Sequence, residues 1–288
     1  MDPLVEVAIE PDSQGDLPAL EIALQALIAG DGALQAHTDV ESGQIIIAGS
    51  SEHQLDLALI ALRGTCMFNA GTHQVAYRET LTKTAVVEHF DRRHVDAGGR
   101  GAHVVLGFGP GLRGAGFRFI QDLGQAPDFV LSGVRTGLED ARKAGLVAGF
   151  PVIDFHATLG AAGWHDKSTE MDFALAARAA FRELRTKAAP ILLEPIMRIE
   201  VVTPDEHSAE VIGDLNKRRG HIESTEAKGE GRFVVAAVPL SHLFGYTAQL
   251  QLITKGAGRC DMRFDQYEPT TAFDPPDGTF PPAVGMRA

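Results

Sequence analysis

The side chains best equipped for chemistry stand in one row, Trp164, His165, Asp166 and Lys167. An indole and an imidazole can stack on bases, a carboxylate can accept hydrogen bonds, and an ammonium can pair with phosphate. His165 beside Asp166 also looks like an acid–base pair. Yet no Ser or Cys stands in a recognisable nucleophile elbow, and sequence neighbours rarely make a productive dyad. No catalytic residue is expected here. Two further groups invite a phosphate: Gly98, Gly99, Arg100 and Gly101 in a glycine-rich bend, and Lys217, Arg218 and Arg219 before Gly220. At the end of a helix such cations either complement the dipole or reach a phosphate.

Other chemistries lack their residues. GFGPGLRG has no lysine, so the usual phosphate-cradling loop is absent. His89, His94 and His103 fit no metal-ligand spacing, and no metal site is expected. Cys66 and Cys260 lie far apart and read as reduced thiols without a chemical role.

The elements that must hold the Trp164 loop are legible around it. Leu159–Lys187 reads as a glycine-flanked loop followed by an alanine-rich helix, with Ser168 expected as the N-cap. Before it, short strands are expected over 74–78, 84–88 and 103–108, then a loop over 109–116 leading into 117–123, a helix over 133–144 and a strand over 150–158. The outer thirds repeat one order. Leu4–Ile9 reads as a strand and Asp16–Ala29 as a helix, with Asp16 as cap and Gly30 just past the end. A hairpin follows whose turn needs Gly43 at positive φ, then a helix over Glu52–Arg63 and a strand from Cys66. The same βαββαβ order returns with a strand at 197–202, a helix at 205–218, a hairpin at 221–238, a helix at 240–254 and a strand at 260–267. The expected fold is α+β: ferredoxin-like domains at 1–76 and 195–268 flank an α/β domain at 77–194. A proline-rich, irregular tail is expected over 269–288.

Composition narrows the partners. At 288 residues, 44% hydrophobic and 22% charged, the chain has soluble globular material for about two or three cores. No apolar run approaches the roughly 18 residues of a membrane span, and the start does not read as a signal peptide. The formal charge is −12, but residues 1–76 hold eleven acidic side chains against Arg63 alone. A broad basic sheath for nucleic acid is therefore not expected, whereas point contacts at the loop and the basic turn are. Stacking groups beside a cation suit single-stranded or irregular RNA.

Several stretches together resemble the C-terminal part of bacterial elongation factor G. They are VEVAIEP, QVAYRET, AGGRG with HVVL, RKAGLVAGFPVIDFHATL, STEMDFALAARAAFRE, EPIMRIEVVTPDEHSAEVIGDLNKRRG and VPLSHLFGYTAQLQLITKGAGRCDMRFDQYE. The likeness runs from about residue 3 to 268. It implies the third to fifth domains of a translational GTPase. The outer two would be ferredoxin-like and the fourth elongated, with a left-handed crossover of the kind seen in a small-subunit ribosomal protein.

The resemblance also implies partners. These are the bacterial ribosome (rRNA, the tRNA–mRNA pair in the decoding region and the stalk base) and the factor's own N-terminal GTPase domain, with no DNA and no membrane. Trp164 and His165 match the tip of the fourth domain, Gly98–Gly101 its neighbouring loop, and Lys217–Gly220 the basic turn of the fifth. GTP and magnesium are implied only for the GTPase domain, so this chain is expected to be a fragment or truncated product without nucleotide hydrolysis of its own, in the cytoplasm. Translocation is the leading expectation. The alternative is a divergent paralogue acting in ribosome recycling or tetracycline-type protection, since the tip loops and GSSEHQLDL depart from the family pattern. A standalone small-molecule enzyme is the rival from another class.

Overall fold

A computed structural model describes residues 3–13, 15–38, 43–94, 100–229 and 231–270. The tail from Thr271 onward, expected to be irregular, lies outside them.

The first domain comprises β1 (Val5–Pro11), α1 (Leu17–Gly30), β2 (Gln35–Thr38), β3 (Ile45–Gly49), α2 (Glu52–Arg63) and β4 (Phe68–Ala70). The sheet order is β2-β3-β1-β4, and the short β5 (Gln74–Val75) adds to β1. This is the ferredoxin-like order. Alternation does the positioning: Val5, Val7 and Ile9 turn inward, and Ile45–Ala48 are buried throughout. Gly43 takes φ +71°, as the hairpin requires. Ser51 caps α2 by accepting from the Gln54 N–H at 3.3 Å. The other helix corrects expectation at both ends. Asp16 makes no cap bond; its carboxylate accepts from Ser13 Oγ at 2.7 Å. Gly30 remains helical, and Asp31 closes the helix through its N–H to Leu27 O.

The middle domain runs β6 (Arg78–Thr80), β7 (Ala85–His94), β8 (Arg100–Pro110), β9 (Phe117–Gln121), α3 (Asp128–Lys143), β10 (Phe155–Gly163), α4 (Glu170–Arg182) and the single turn α5 (Leu184–Lys187). Its sheet is ordered β7-β8-β10-β9. The last two strands are parallel and are joined through α3; the other pairs are antiparallel. Val104, Leu106, Phe155, Ala157 and Leu159 from the sheet and Val134, Leu138, Phe173, Ala177 and Phe181 from the helices share one core.

Two expectations fail here for packing reasons. The helix expected from Gly133 starts at Asp128, because Gly133 and Gly137 are contact points and do not begin the element. A Cβ at Gly137 would lie 2.3 Å from Ala174 O, and one at Gly133 2.3 Å from Glu170 O. Small residues on both helices let the backbones touch, which explains why α4 is rich in alanine. The strand expected from Phe150 begins only at Phe155. Leu146, Val147, Ala148 and Phe150 instead donate their backbone N–H groups to the Glu79 carboxylate at 2.6, 2.9, 2.8 and 3.2 Å. Glu79 is wholly buried, and a parallel bridge ties it to Val152. Further along, the β10–β8 register shifts by one: Leu159 faces Leu106 but Ala161 faces Val105, leaving Gly160 as a bulge.

The last domain repeats the first with β11 (Ile191–Pro204), α6 (Asp205–Lys217), β12 (His221–Lys228), β13 (Gly231–Pro239), α7 (Tyr246–Ile253) and β14 (Arg259–Pro269), in the order β12-β13-β11-β14. The helix expected from Leu240 is broken: a 3-10 turn covers Leu240–His242, and Gly245 at φ +69° restarts the chain into α7. Residues up to Ala76 with Glu194–Glu268 form one compact unit, and Tyr77–Leu193 form another.

Replacing Gly137 by Ala gains about 1 kcal/mol of helix propensity but overpacks a closed interface, typically costing about 1–3 kcal/mol. Contact with a backbone oxygen places Gly137→Ala at the upper end, so its thermal unfolding is expected to come earlier. Gly213→Ala in α6 meets nothing within 4 Å and is expected to melt later. Glu79→Gln turns an amide group on two of the four donors, and a loss of roughly 3 kcal/mol or more is expected in the same assay.

Candidate nucleic-acid interface

The tip lies between the end of β10 at Gly163 and the start of α4 at Glu170. Trp164 is 44% exposed, so the indole is not an anchor folded into its own core. His165, Asp166 and Lys167 are exposed beside it. What keeps the row rigid is Ser168. Its hydroxyl oxygen accepts from the His165 N–H at 2.9 Å and its proton goes to Gly101 O at 2.8 Å, while its own N–H donates to His165 O at 2.9 Å. With its hydroxyl spent on the loop, Ser168 does not cap the helix, contrary to expectation. Thr169 is the residue before α4, and both its N–H and its Oγ1 donate to Asp172 Oδ2 at 2.8 Å.

The Lys167 N–H reaches His165 Nδ1 at a long 3.4 Å. An accepting Nδ1 leaves Nε2 as the N–H of the neutral ring, so the imidazole offers a donor on its free edge. The hydroxyl bond to Gly101 brings the start of β8 to the tip loop. Gly98 and Gly99 lie outside the described residues, as does the side chain of Arg100. Behind the tip, His103 pairs with Glu88 at 2.9 Å and faces Gly163 across the strands.

The basic turn belongs to the other compact unit. Lys217 ends α6 and is exposed. Arg218 is tied inward: Nε donates to Asp214 at 2.7 Å, a terminal nitrogen donates to His242 O at 2.7 Å, and the guanidinium lies 5.1 Å from the Tyr246 ring centre. Arg219 sits at φ +63°, with a guanidinium nitrogen 3.6 Å from the buried Glu194 carboxylate. The turn closes through the Gly220 N–H to Leu215 O. Of the three cations, Lys217 alone carries no such tie among the described residues.

The glycine-rich loop after β8 is occupied by the protein's own carboxylate. Asp154 accepts from the Gly114 and Gly116 N–H groups at 2.9 and 2.8 Å. Those amides cannot also cradle a phosphate. Burial pushes both cysteine thiols up from their ordinary range, with Asp16 adding to the effect at Cys66 and Asp261 at Cys260. Raised thiols are poor nucleophiles at neutral pH. Among the described residues no three His, Cys, Asp or Glu side chains are grouped to hold a metal, and no helix is long and apolar enough to cross a membrane.

What these features define is a mixed α+β chain in which a sheet and two close-packed helices hold out an aromatic–imidazole–cation tip. Comparison with known families agrees. Residues 1–74 match the model of elongation factor G domain III, residues 73–189 that of domain IV, and residues 191–274 that of the elongation factor G C-terminus. The chain is 41% identical over 271 residues to an elongation factor G of Hyphomonas neptunium and 40% identical over 270 residues to one of Anaplasma phagocytophilum. Each alignment covers 92% of this chain, but only 38% and 39% of those relatives. A crystal structure from Thermus thermophilus matches 94% of this chain and 41% of its own, with a TM-score of 0.74 at 32% identity. The chain belongs to the elongation factor G family.

Removing the Ser168 hydroxyl deletes two bonds that each contribute about 0.5–1.5 kcal/mol. Ser168→Ala is expected to leave the core intact while amide hydrogen exchange at His165 speeds up by roughly tenfold or more.

Proposed function

We propose that the chain is the ribosome-engaging segment of an elongation factor G-like translation factor, and that its tip enters the decoding region beside the tRNA–mRNA pair during translocation. One observation carries this reading. Trp164, His165 and Lys167 are exposed together on a loop whose backbone is already fixed by Ser168. A prearranged tip loses little entropy on binding.

Each side chain then has a role. Trp164 stacks on a base, His165 Nε2–H donates to a base edge or sugar hydroxyl, Asp166 accepts from an amino or 2′-hydroxyl group, and Lys167 meets phosphate. Gly98–Gly101, with Arg100, form the neighbouring contact. In the other unit Lys217 meets rRNA near the stalk base, while Arg218 and Arg219 shape the turn that presents it. The acidic first domain keeps RNA contact to these points. GTP and magnesium belong to the GTPase domain of the full factor, whose reorientation the tip converts into movement on the ribosome. Such a factor works in the cytoplasm, without DNA or membrane.

Co-sedimentation with purified bacterial ribosomes tests the reading. The Trp164→Ala/His165→Ala/Lys167→Ala variant is expected to bind at least about tenfold more weakly than the wild type, given ~1–3 kcal/mol for one stacked base. Equal binding would remove the tip from the interface. With about three phosphate contacts, at Lys167, Arg100 and Lys217, the log–log slope of affinity against salt should be about −2 to −3. Affinity that ignores salt would rule out RNA as the main partner.

A further inference from the structure

A second feature of the middle unit, at the other end of β8 from the tip, is a preformed cavity of 360 Å³ beside the loop from Pro110 to Gly116. β8 has eleven residues, which at the usual strand rise separates this cavity from the tip loop by roughly 30 Å. The loop is rigid. Asp154 draws in the Gly111 N–H with its backbone oxygen at 2.7 Å and the Gly114 and Gly116 N–H groups with its carboxylate, while Ala115 N–H bonds to Leu112 O. Asp154 holds this position at φ +53°. The fixed loop leaves Leu112 82% exposed on the cavity wall, which Ile120 also lines.

Arg118 and His156 also line this cavity, and they face one another in the parallel register of β9 and β10. Among the described residues neither side chain has a hydrogen bond, ion pair or ring contact. No carboxylate lines the space, because both oxygens of Asp154, the nearest in sequence, are spent on the glycine amides. A guanidinium and an imidazole without a counter-ion, set beside two aliphatic walls, select a ligand with an anionic head and a flat or apolar body. The guanidinium fork fits two oxygens of a phosphate, the imidazole donates to a free lone pair on one of them, and Leu112 and Ile120 cover the attached group. The volume is at the lower end for small-molecule pockets, which suits one nucleotide-sized group.

The geometry points to a site for a nucleotide phosphate ester, supplied by a free nucleotide or by a phosphodiester within an RNA strand. It is separate from the tip and stands whether or not the tip binds the ribosome.

Backbone amide NMR titration of the whole chain provides the test, with adenosine monophosphate, inorganic phosphate and hydroxyl-ended hexauridylate as probes. Adenosine monophosphate is expected to move the amides of residues 111–120. Arg118→Gln should weaken it about tenfold, as loss of one charge-assisted contact does. Leu112→Ser should weaken the nucleotide but leave inorganic phosphate unchanged, which separates the apolar wall from the charged head. Both side chains are exposed and neither substitution is expected to change the melting temperature, so lost binding cannot be ascribed to unfolding. Hexauridylate that binds and competes assigns the site to an RNA strand; binding of the mononucleotide alone assigns it to free nucleotides. Absence of binding by both, or affinity unchanged in Arg118→Gln, overturns the proposal. Ribosome co-sedimentation of Arg118→Gln is an independent readout, so failure here is distinguishable from failure of the tip.

Discussion

Four backbone N–H groups converging on one buried carboxylate set the geometry of the middle unit. A carboxylate carries only acceptors, and Glu79 meets Leu146, Val147, Ala148 and Phe150 with donors alone. The bonds are charge-assisted and shielded from water, which makes them stronger than ordinary amide–carbonyl bonds. They fold the segment between α3 and β10 into a compact bend that an apolar contact could not specify. The backbone of the same residue continues the work. Glu79 N–H bonds to Pro151 O and Glu79 O accepts from Ile153 N–H, so the chain is delivered to Asp154 and then to β10 in a fixed position. β10 ends at the tip. The place of Trp164 thus traces back, through one strand and one bend, to a glutamate far from it in sequence.

The helices complete that frame by approaching the distance limit of their backbones. With Gly133 against Glu170 and Gly137 against Ala174, α3 and α4 have no slack in which to slide. The Ser132 hydroxyl adds a bond to Glu170 at 2.5 Å, and Arg178 pairs with Asp140. α4 therefore holds its N-terminus, and the exposed loop before it, in a fixed position on α3. Charge is arranged on a different plan. The first domain owes its negative charge to a lack of bases, with Arg63 alone against eleven acidic side chains, and the basic turn mostly satisfies itself through Arg218 and Asp214.

How much could be read in advance follows from the range of each interaction. Alternation in VEVAIEP and the turn glycine at Gly43 act over a few residues, and they announced the ferredoxin-like order directly. The tip side chains were visible by type alone. Elements governed by distant partners were misplaced. FPVIDFHATL is apolar almost throughout, so its periodicity could not show that Glu79 holds its first part in a bend and that the strand waits until Phe155. Gly133 looked like a boundary because its use, contact with another helix, leaves no local mark. Ser168 looked like a cap because its true partner, Gly101, is sixty-seven positions away. The left-handed turn at Gly245 was hidden in an apolar run that suits a helix on either side.

The bulge at Gly160 gives the end of β10 a parity. Side chains on a strand alternate between faces, so one extra residue exchanges the two faces for everything beyond it. In β10 that exchange falls after Leu159, so that Ala162 rather than Ala161 packs against the core. Removing or adding a single residue there would turn the last residues of β10, up to Gly163, to the other face, whereas a change of two would shift them along without turning them. Natural drift in this segment should then be tolerated by even counts. Its length, as much as its composition, is under constraint.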